Sequence, residues 1–493
     1  MANTLIKITN GVPRHPDYRL NTPLNFRLTE GECLAICGCN GSGKSLFVDI
    51  LTGAHPLLGD AISYDFGTEG GTRAANNVRL VSFRDVYGGN EPSYYQQRWN
   101  QADEQTFPTV AEVLLQAYKA WNAEGEIPNE CADLHHLPNQ DLLNDLGIFE
   151  HIDKPINLLS SGELRRMQLS KMLMSKPRVL IVDNPYIGLD KAARQMLTRV
   201  LEKLSVSITL VLVVSREEDI PQFVSRVVWF ENKQLKFSIS YDVFQQMQNN
   251  APKYRVENIS VPQSTDPNNS NIDDVIDFRN IHIQYGNRTI LRGLNWHVKC
   301  GEHWALMGEN GAGKSTLLSL VCADNPQSYA CDIRLFGHQR GKGESIWEIK
   351  KHIGYVSPEI YSTYRRSLPA IDIVASGMHD TIGLYKRPTE AERNWCLEWL
   401  RTFNAAHLAT QNYMQLSSGE QRLILLVRAF VKNPDLLILD EPFHGLDNHY
   451  RQLSQSIIDH YMQSPTKTLI MVTHYEEELP LCIDHRLELK KNA

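Results

Sequence analysis

Two stretches of this sequence combine glycines, a lysine and a hydroxyl residue at the spacing of a phosphate-binding loop. Residues 308–316 read Gly-Glu-Asn-Gly-Ala-Gly-Lys-Ser-Thr and fit the pattern G-x-x-x-x-G-K-[ST], in which successive backbone N–H groups surround phosphates. Residues 38–45 repeat the pattern 270 positions earlier. We expect Lys314 to reach the phosphates of a bound nucleotide and the Ser315 hydroxyl to hold Mg²⁺. The residues expected to line the loops are Gly38, Asn40, Gly41, Ser42, Gly43, Lys44 and Ser45, and Gly308, Asn310, Gly311, Ala312, Gly313, Lys314, Ser315 and Thr316.

The residues on either side of the second loop fit this interpretation. Residues 303–307 are predicted to form a short buried strand, and residues 316–322 an apolar helix whose N-terminus faces the anion. The glycines let the backbone approach the phosphates in conformations that a Cβ atom would obstruct. A glycine-rich turn that binds nothing is the alternative, and the further motifs described below argue against it.

The composition is that of a globular protein with more than one domain. The chain has 493 residues, of which 42% are hydrophobic and 22% are charged. Its net charge of −7 gives no overall basic character for nucleic-acid binding, although a local basic patch is compatible with it. The longest apolar run, residues 208–214, is much shorter than a membrane span and predicts a buried strand. Any membrane component of a transport system would therefore be a separate chain.

Nine cysteines are scattered along the chain. Cys33, Cys37 and Cys39 lie in and beside the strand that enters the first loop, where we expect buried core thiols rather than a metal site. An odd number of cysteines without a signal peptide indicates a reducing compartment. We therefore expect a cytoplasmic protein, with any attachment to the inner face of the plasma membrane made through a partner.

Three further motifs occur twice, each pair 257 positions apart. Leu-Ser-Ser-Gly-Glu (LSSGE) begins at Leu159 and at Leu416, and an apolar run ends in Asp183 and again in Asp440. Gly-Leu-Asp follows each run, ending at Asp190 in the first half and at Asp447 in the second. Since the two phosphate loops are 270 positions apart, the first half carries an insertion between its loop and its LSSGE motif. The sequence therefore consists of two homologous modules.

The module boundaries follow from composition. We predict domains at residues 1–249 and 274–493, joined by a linker at 250–273 that is rich in Pro, Asn, Ser and Asp. Residues 60–105 are rich in Gly, Asn, Tyr and Gln and are expected to be irregular or poor in strands. Apolar patterns predict helices at 109–121, 140–146 and 163–174, and central parallel strands at 179–182 and 208–214.

Taken in order, these motifs resemble those of the ABC-type ATPases, and the resemblance covers nearly the whole chain. The second half adds Thr473-His474 after a late apolar strand, and LSSGE replaces the usual LSGGQ in both halves. The resemblance implies two α/β P-loop NTPase domains in tandem, each with a mixed sheet core, a strand-rich start and a helical subdomain. Residues 344–357 are also similar to a tandem form associated with molybdate-uptake operons.

The resemblance further implies two MgATP molecules sandwiched between two such domains. Each site would join the phosphate loop of one half to the LSSGE motif of the other half. Asp190 and Asp447 would lie at the seam and link the two sites. The LSSGE residues that would face the γ-phosphates are Ser160 and Gly162 for the second loop, and Ser417 and Gly419 for the first.

Residue roles also come from the resemblance. Glu441 would orient or polarise the attacking water, His474 would contact the γ-phosphate, and Tyr285 would stack on adenine. The alternatives for these three are a solvated carboxylate, a core histidine and an edge-strand tyrosine. The residues that would hold Mg²⁺ are Ser45 and Asp183 in the first half, and Ser315 and Asp440 in the second.

The two halves differ at the positions that decide the chemistry. Asn184 occupies the position of Glu441, and an amide cannot accept a proton as a carboxylate can. Arg216 occupies the position of His474, and His15 falls at the position of Tyr285. Because Lys44, Ser45 and Asp183 are retained, we expect the first half to bind MgATP and to hydrolyse it poorly.

Both halves also lack a glutamine that the family places after the strand following the phosphate-loop helix. That glutamine contacts both the metal and the membrane partner. Here the matching positions hold Pro358 in the second half and Phe83 or its neighbours in the first. This departure argues against ordinary coupling to a membrane permease.

Three functions follow from these observations. The first is an ATP-hydrolysing tandem protein that powers or regulates transport of a small solute, such as the oxyanion molybdate, with separate membrane subunits. The second is a non-transport protein that acts on a ribosome or nucleic acid, although the short Asn/Pro-rich linker differs from the long charged helical linker of translation factors. The third is a regulatory clamp that binds ATP with little turnover, against which the complete motif set of the second half argues.

Overall fold

The structure is a computed structural model that describes residues 3–83, 107–121, 140–156, 159, 161–189, 191–249, 259–262, 273–285 and 288–491. The chain folds as two units, Met1–Lys253 and Tyr254–Ala493, and each is described by itself. Among the described residues no helix has both the length and the apolar character needed to cross a lipid bilayer.

The first unit contains a parallel sheet with an antiparallel edge strand and a separate small antiparallel sheet. Its strands are β1 (Thr4–Gly11), β2 (Leu24–Thr29), β3 (Cys33–Gly38), β4 (Ile62–Tyr64), β5 (Val78–Ser82), β6 (Val179–Asp183), β7 (Thr209–Val213), β8 (Arg226–Glu231) and β9 (Gln234–Ser240). The strand order is β5-β6-β7-β3-β8-β9 in the large sheet, with β9 antiparallel, and β2-β1-β4 in the small one. Its helices are α1 (Lys44–Leu51), α2 (Gly67–Gly70), α3 (Ala74–Asn77), α4 (Val110–Trp121), α5 (Gln140–Asp145), α6 (Ser161–Leu173), α7 (Lys191–Ser207) and α8 (Tyr241–Asn249).

The second unit repeats this plan. Its strands are β10 (Asp274–Tyr285), β11 (Arg288–Lys299), β12 (His303–Gly308), β13 (Asp332–Leu335), β14 (His338–Gln339), β15 (Ile353–Val356), β16 (Leu436–Asp440), β17 (Thr468–Val472) and β18 (His485–Leu489). They form a parallel sheet of order β15-β16-β17-β12-β18 and an antiparallel sheet of order β11-β10-β13-β14. Its helices are α9 (Lys314–Val321), α10 (Ile346–Lys350), α11 (Pro358–Thr363), α12 (Ala370–Ala375), α13 (Glu390–Thr402), α14 (Ser418–Phe430) and α15 (Asn448–Tyr461).

Burial on both faces explains why the central strands read as continuous apolar runs. In β6, Val179 and Ile181 pack with Phe47 of α1, whereas Leu180 and Val182 pack into a second core on the other face. That second core also contains residues of α4, α6 and α7. The carboxyl ends of parallel strands meet at one sheet edge, so the loops that follow β3, β6 and β7 converge there, as do those after β12, β16 and β17.

Most elements expected from the sequence are present. The α/β fold is confirmed, as are the helices predicted at 109–121, 140–146 and 163–174, which correspond to α4, α5 and α6. Within the stretch predicted to be irregular, β4 and β5 form, and residues 84–106 lie outside the described residues.

Part of the stretch predicted to be the linker packs against the second unit. Ile259 and Val261 contact the core formed by α12, α13 and α14. The Thr402 hydroxyl of α13 donates to the Ser260 carbonyl oxygen at 3.4 Å. Residues 259–262 are thereby attached to the helical region of the second unit.

The cysteine prediction is right for two residues and wrong for one. Cys33 and Cys37 are buried in β3, and burial raises the pKa of each thiol to about 12. Cys39 is exposed instead, because it lies in the phosphate loop after β3 has ended.

A partly buried ion pair links the helical region of the second unit to the residues that follow α14. Lys432 Nζ donates to both carboxylate oxygens of Asp380, at 2.6 and 2.5 Å, and to the Lys350 carbonyl oxygen at 2.7 Å. The Lys432 side chain is 8% exposed and that of Asp380 is 25% exposed. Burial lowers the pKa of Lys432, so its charge depends on the facing carboxylate.

We predict that Asp380→Asn destabilises the second unit by about 3 kcal/mol, because it leaves a buried ammonium without its counter-charge. Asparagine tolerates the left-handed backbone at this position, where φ is +52°, so backbone strain does not contribute. Thermal or urea denaturation of the full chain measures the change.

The matched control is Asp324→Asn, which removes the partner of Lys350 in a pair whose carboxylate is 51% exposed. Such a pair is worth about 0–1 kcal/mol. Equal losses from the two variants would show that the Lys432–Asp380 pair is not an important contact.

Candidate active site

The phosphate loop of the second unit curls around its own lysine. β12 ends at Gly308, and Lys314 begins α9. Lys314 Nζ donates to the carbonyl oxygens of Gly308 and Glu309, at 2.6 and 3.0 Å. Gly308 has a φ of +143°, and a Cβ there would fall on the Leu489 carbonyl oxygen, so only glycine fits.

The first unit builds the same loop. Lys44 Nζ donates to the carbonyl oxygens of Gly38 and Cys39, at 2.5 and 2.8 Å. Gly38 again passes too close to a carbonyl oxygen, here that of Phe230, to carry a side chain. Both units therefore present a helix N-terminus and an ammonium group at the end of the loop, which is the arrangement that binds phosphate.

Two adjacent carboxylates follow β16, beside this loop. Asp440 is the last residue of β16, and Glu441 follows in a left-handed conformation with a φ of +49°. The Glu441 N–H donates to the Val472 carbonyl oxygen at 2.9 Å, which fixes the turn to the end of β17. A residue with a Cβ in this conformation carries strain, and such strain is concentrated at functional sites.

Two imidazoles lie within ion-pair distance of the Glu441 carboxylate. His474, two residues beyond β17, places Nε2 3.0 Å from Glu441 Oε1. His444 places Nδ1 2.7 Å from Glu441 Oε2. The exposed fractions of these side chains are 12% for Glu441, 7% for His444 and 8% for His474, so the cluster is shielded from water.

The pKa values of the two carboxylates are shifted in opposite directions by their surroundings. Burial raises the pKa of Glu441, but the contacts with His444 and His474 outweigh it and hold that pKa well below its usual range. Burial, together with the charges of Glu441 and Glu359, raises the pKa of Asp440 well above its usual range, and Lys314 opposes this. Glu441 is thus kept ionised, whereas Asp440 lacks sufficient positive charge around it.

These donors fit a magnesium ion. Asp440 is a buried carboxylate whose ionised form needs a further cation, and Ser315 is a hydroxyl on the first turn of α9 beside Lys314. Mg²⁺ is usually held by one or two carboxylates together with phosphate oxygens and water rather than by an all-protein cage. The described part of the chain holds no cluster of three or more His, Cys, Asp or Glu side chains with the geometry of a metal site.

Glu359 and His444 were not identified from the sequence. Glu359 lies beside Pro358, which occupies the expected glutamine position and begins α11, and its charge acts on Asp440. The pairing of Val356 with Leu439 brings the start of α11 to the sheet edge where Asp440 lies. Neither residue belongs to a motif. Only the register of β15 on β16 could have indicated Glu359, and only the turn after β16 could have indicated His444.

The corresponding turn of the first unit contains no carboxylate pair. Asn184 has the same left-handed φ of +49° as Glu441. Its amide Nδ2 donates to Asp183 Oδ1 at 2.8 Å, and its Oδ1 accepts from the Ser215 hydroxyl at 2.9 Å. The sequence prediction that Arg216 matches His474 is wrong: Val213 and Val472 pair with Asp183 and Asp440, so Ser215 is the residue at the position of His474. The buried Arg216 matches Tyr475 instead, since each is the N-cap residue of the short helical turn that follows. The backbone geometry is therefore retained, while the side chain at position 184 is neutral and engaged at both ends.

An aromatic side chain stands near each phosphate loop. In the second unit, Tyr285 Oη accepts from Asn325 Nδ2 at 2.9 Å. His55 occupies the position of Asn325 in the first unit, and Tyr18 stacks on it with ring centroids 4.0 Å apart. The aromatic residue that contacts this position in the first unit is therefore Tyr18, three residues beyond His15, which is the residue that the sequence offset indicated.

The LSSGE motif of the second unit begins α14. Ser417 caps the helix: its backbone N–H and its hydroxyl donate to Glu420 Oε2, at 2.8 and 2.6 Å. Gly419 is buried in the first turn. In the first unit Gly162 lies in the first turn of α6, and Ser160 lies outside the described residues. The Ser417 N–H and hydroxyl, which are predicted to face a γ-phosphate, are hydrogen-bonded to Glu420 in this structure.

Of the two aspartates predicted to link the nucleotide sites, the structure describes only Asp447. Asp447 caps α15 by accepting from the Tyr450 N–H at 2.9 Å. Asp190 lies outside the described residues. The pairing of each phosphate loop with the LSSGE motif of the other unit, and the linking role of these aspartates, stay predictions.

The sequence matches known proteins along its whole length. The family model described as ABC transporter matches residues 21–187 and again residues 291–444. The chain is 36% identical, over 98% of its own length and 96% of the relative's, to the ABC transporter ATP-binding protein ModF of Escherichia coli (strain K12). It is 29% identical, over 99% of its length and 98% of the relative's, to an uncharacterized ABC transporter ATP-binding protein of Schizosaccharomyces pombe.

A solved structure agrees on the fold. The chain is similar, with a TM-score of 0.52 and 18% identity, to a chain in the complex of archaeal ribosomal stalk protein aP1 and archaeal ribosome recycling factor aABCE1. The match covers 97% of this chain and 87% of that one. At this identity the likeness shows a shared fold alone. The two family matches and the repeated phosphate-loop geometry show that the chain belongs to the ABC transporter family and carries two of its ATP-binding domains.

Proposed function

We propose that the chain binds two MgATP molecules and hydrolyses ATP at one of its two sites. The observation that carries this proposal is the difference between the turns after β16 and β6. In the second unit a buried, ionised Glu441 lies between two imidazoles. In the first unit a neutral Asn184 is hydrogen-bonded to Asp183 and Ser215. Phosphoryl transfer to water needs a group that positions and polarises the water, and an amide with both ends engaged cannot serve.

The residues take the following roles at the competent site. Lys314 and the loop N–H groups bind the phosphates, and Ser315 and Asp440 hold Mg²⁺, which neutralises the charge that develops on the phosphoryl oxygens. Glu441 orients the attacking water, and His474 contacts the γ-phosphate and fixes Glu441. Tyr285 supports the adenine ring. The second half's site is completed by Ser160 and Gly162 of the first half's LSSGE motif.

The other site holds nucleotide with little turnover. Lys44 binds the phosphates there, Ser45 and Asp183 hold Mg²⁺, and Ser417 and Gly419 close the site. Arg216 keeps its positive charge at every physiological pH, which suits retention of a nucleotide anion. The first site thereby stabilises the closed arrangement in which the second site works.

At the biological level, we propose an ATP-binding subunit that powers or regulates transport of a small solute with separate membrane subunits. The resemblance to tandem proteins of molybdate-uptake operons supports an oxyanion such as molybdate. The 36% identity to the Escherichia coli protein over nearly the full length of both chains supports this choice.

A second candidate is a non-transport protein that acts on another macromolecule. It is favoured by the residues at the two positions where the family has a glutamine. Pro358 begins α11 and Phe83 is buried, and neither side chain has an amide to offer to a membrane partner. Affinity purification of the full chain from native cells separates the two. Membrane permease subunits should be recovered with it if it serves transport, and ribosomal proteins if it does not.

We predict that the full chain binds two molecules of a non-hydrolysable ATP analogue in the presence of Mg²⁺. Both units build a complete phosphate loop around their lysines, Lys44 and Lys314. Equilibrium titration measures the stoichiometry, and Lys44→Ala serves as the control, because it should lower the plateau from two to one. A plateau at one in the unaltered chain would contradict binding at the first unit.

We predict that Glu441→Gln lowers steady-state ATP hydrolysis by about 10²–10⁴-fold and leaves MgATP binding intact, because it removes the water-orienting carboxylate with little change in size. Asn184→Ala should cost less than about threefold, since that amide supplies no base. Hydrolysis and binding are measured on both variants under the same conditions. Equal losses from the two substitutions would mean that the first unit is catalytic.

A further inference from the structure

The Glu441 carboxylate has a second imidazole that belongs to none of the motifs. His444 lies in the turn between β16 and α15, three residues after Glu441. Its Nδ1 is 2.7 Å from Glu441 Oε2, while His474 faces the other oxygen at 3.0 Å. Each carboxylate oxygen therefore has its own partner, and a rotation of the carboxylate about its last bond would break both contacts.

His444 is itself fixed from two directions. Its backbone N–H donates to the Glu441 carbonyl oxygen at 3.3 Å, and its backbone carbonyl oxygen accepts from Arg422 Nη1 at 2.9 Å. Arg422 is a buried residue of α14, and its guanidinium lies 4.9 Å from the centre of the Tyr361 ring. The neighbouring Phe443 is fully buried. The backbone of His444 is thus held in place, and its imidazole, which is 7% exposed, acts as a support for the carboxylate.

The first unit lacks this support. Ile187 occupies the position of His444, and Asn184 that of Glu441. Arg165, the counterpart of Arg422, donates to the Pro185 carbonyl oxygen rather than to that of Ile187. The extra imidazole is therefore present in the unit that has the carboxylate and absent from the described turn of the unit that has the amide.

We propose that His444 is a positioning residue that holds the Glu441 carboxylate in the orientation needed to direct the attacking water. The inference rests on the role proposed above for Glu441. His444 contacts neither nucleotide nor water in this scheme and acts through Glu441. Displacement of a reacting group by about 1 Å can cost about 10²-fold in rate, so loss of one of the two supports should lower turnover without weakening nucleotide binding.

Two amide substitutions test this. In His444→Asn the amide nitrogen can take the place of Nδ1, whereas in His444→Gln it lies one bond further from the backbone. Both side chains are neutral and polar, so they change charge and burial alike. We expect His444→Asn to keep kcat within about threefold and His444→Gln to lose about 10–100-fold, with the Kd for MgATP and the thermal midpoint alike in both. His460→Asn, on the exposed side of α15, is the control and should change nothing.

Combination with Glu441→Gln separates the inference from the proposed function. If His444 acts through Glu441, His444→Gln should cause no further loss of turnover in a Glu441→Gln chain. Equal kcat values for His444→Asn and His444→Gln, or equal losses of stability with no change in kcat, would overturn the positioning role alone. Normal turnover of the Glu441→Gln single variant would overturn the role of Glu441 and the inference with it.

Discussion

Two adjacent carboxylates buried at the end of β16 impose the constraint on which the second unit depends. Asp440 and Glu441 carry like charges next to each other in a site shielded from water, and such a pair is costly unless each charge is compensated. The two histidines compensate Glu441, whereas Lys314 together with a bound cation would compensate Asp440. This division keeps one carboxylate ionised before nucleotide binds and leaves the other in need of a metal. In the proposed function, this pair of residues couples MgATP binding to readiness for hydrolysis.

The first unit avoids the repulsion between adjacent carboxylates because it has a neutral residue at the second position. Its turn after β6 has the same left-handed backbone, yet Asn184 is neutral and donates to Asp183 rather than repelling it. Such a site needs no imidazoles, and Ile187 and Ser215 occupy the positions of His444 and His474. The first unit nevertheless retains its phosphate loop around Lys44, so the geometry of that loop does not depend on a carboxylate pair.

The sequence predicted those parts of the site that are contiguous in the chain. The phosphate loops, the apolar strands before Asp183 and Asp440, and the amphipathic α4 have local signals, because each depends on a few neighbouring residues. The paired motifs also predicted two related domains. Glycine at position 308 could be anticipated as well, since only glycine allows that close approach of backbones.

The sequence did not predict what depends on strand register or loop length. Glu359 reaches Asp440 because β15 and β16 pair in a particular register, and His444 reaches Glu441 because the turn between them is left-handed at its start. Tyr18 was missed because a short helical turn, Pro16–Tyr18, shifts the aromatic residue by three positions from the place given by the constant offset. Cys39 was assigned to the core because the exact end of β3 cannot be read from composition.

Catalysis at one site and retention at the other can be measured in a single experiment. The chain is loaded with two equivalents of radiolabelled ATP, and Mg²⁺ is added together with excess unlabelled ATP. Samples are quenched over time, and labelled ADP is separated from labelled ATP. Half of the label should convert to ADP in the first turnover, while the other half stays on the protein as ATP through many further turnovers. Conversion of all the label at one rate would show two equivalent sites and would contradict the assignment of catalysis to the second unit.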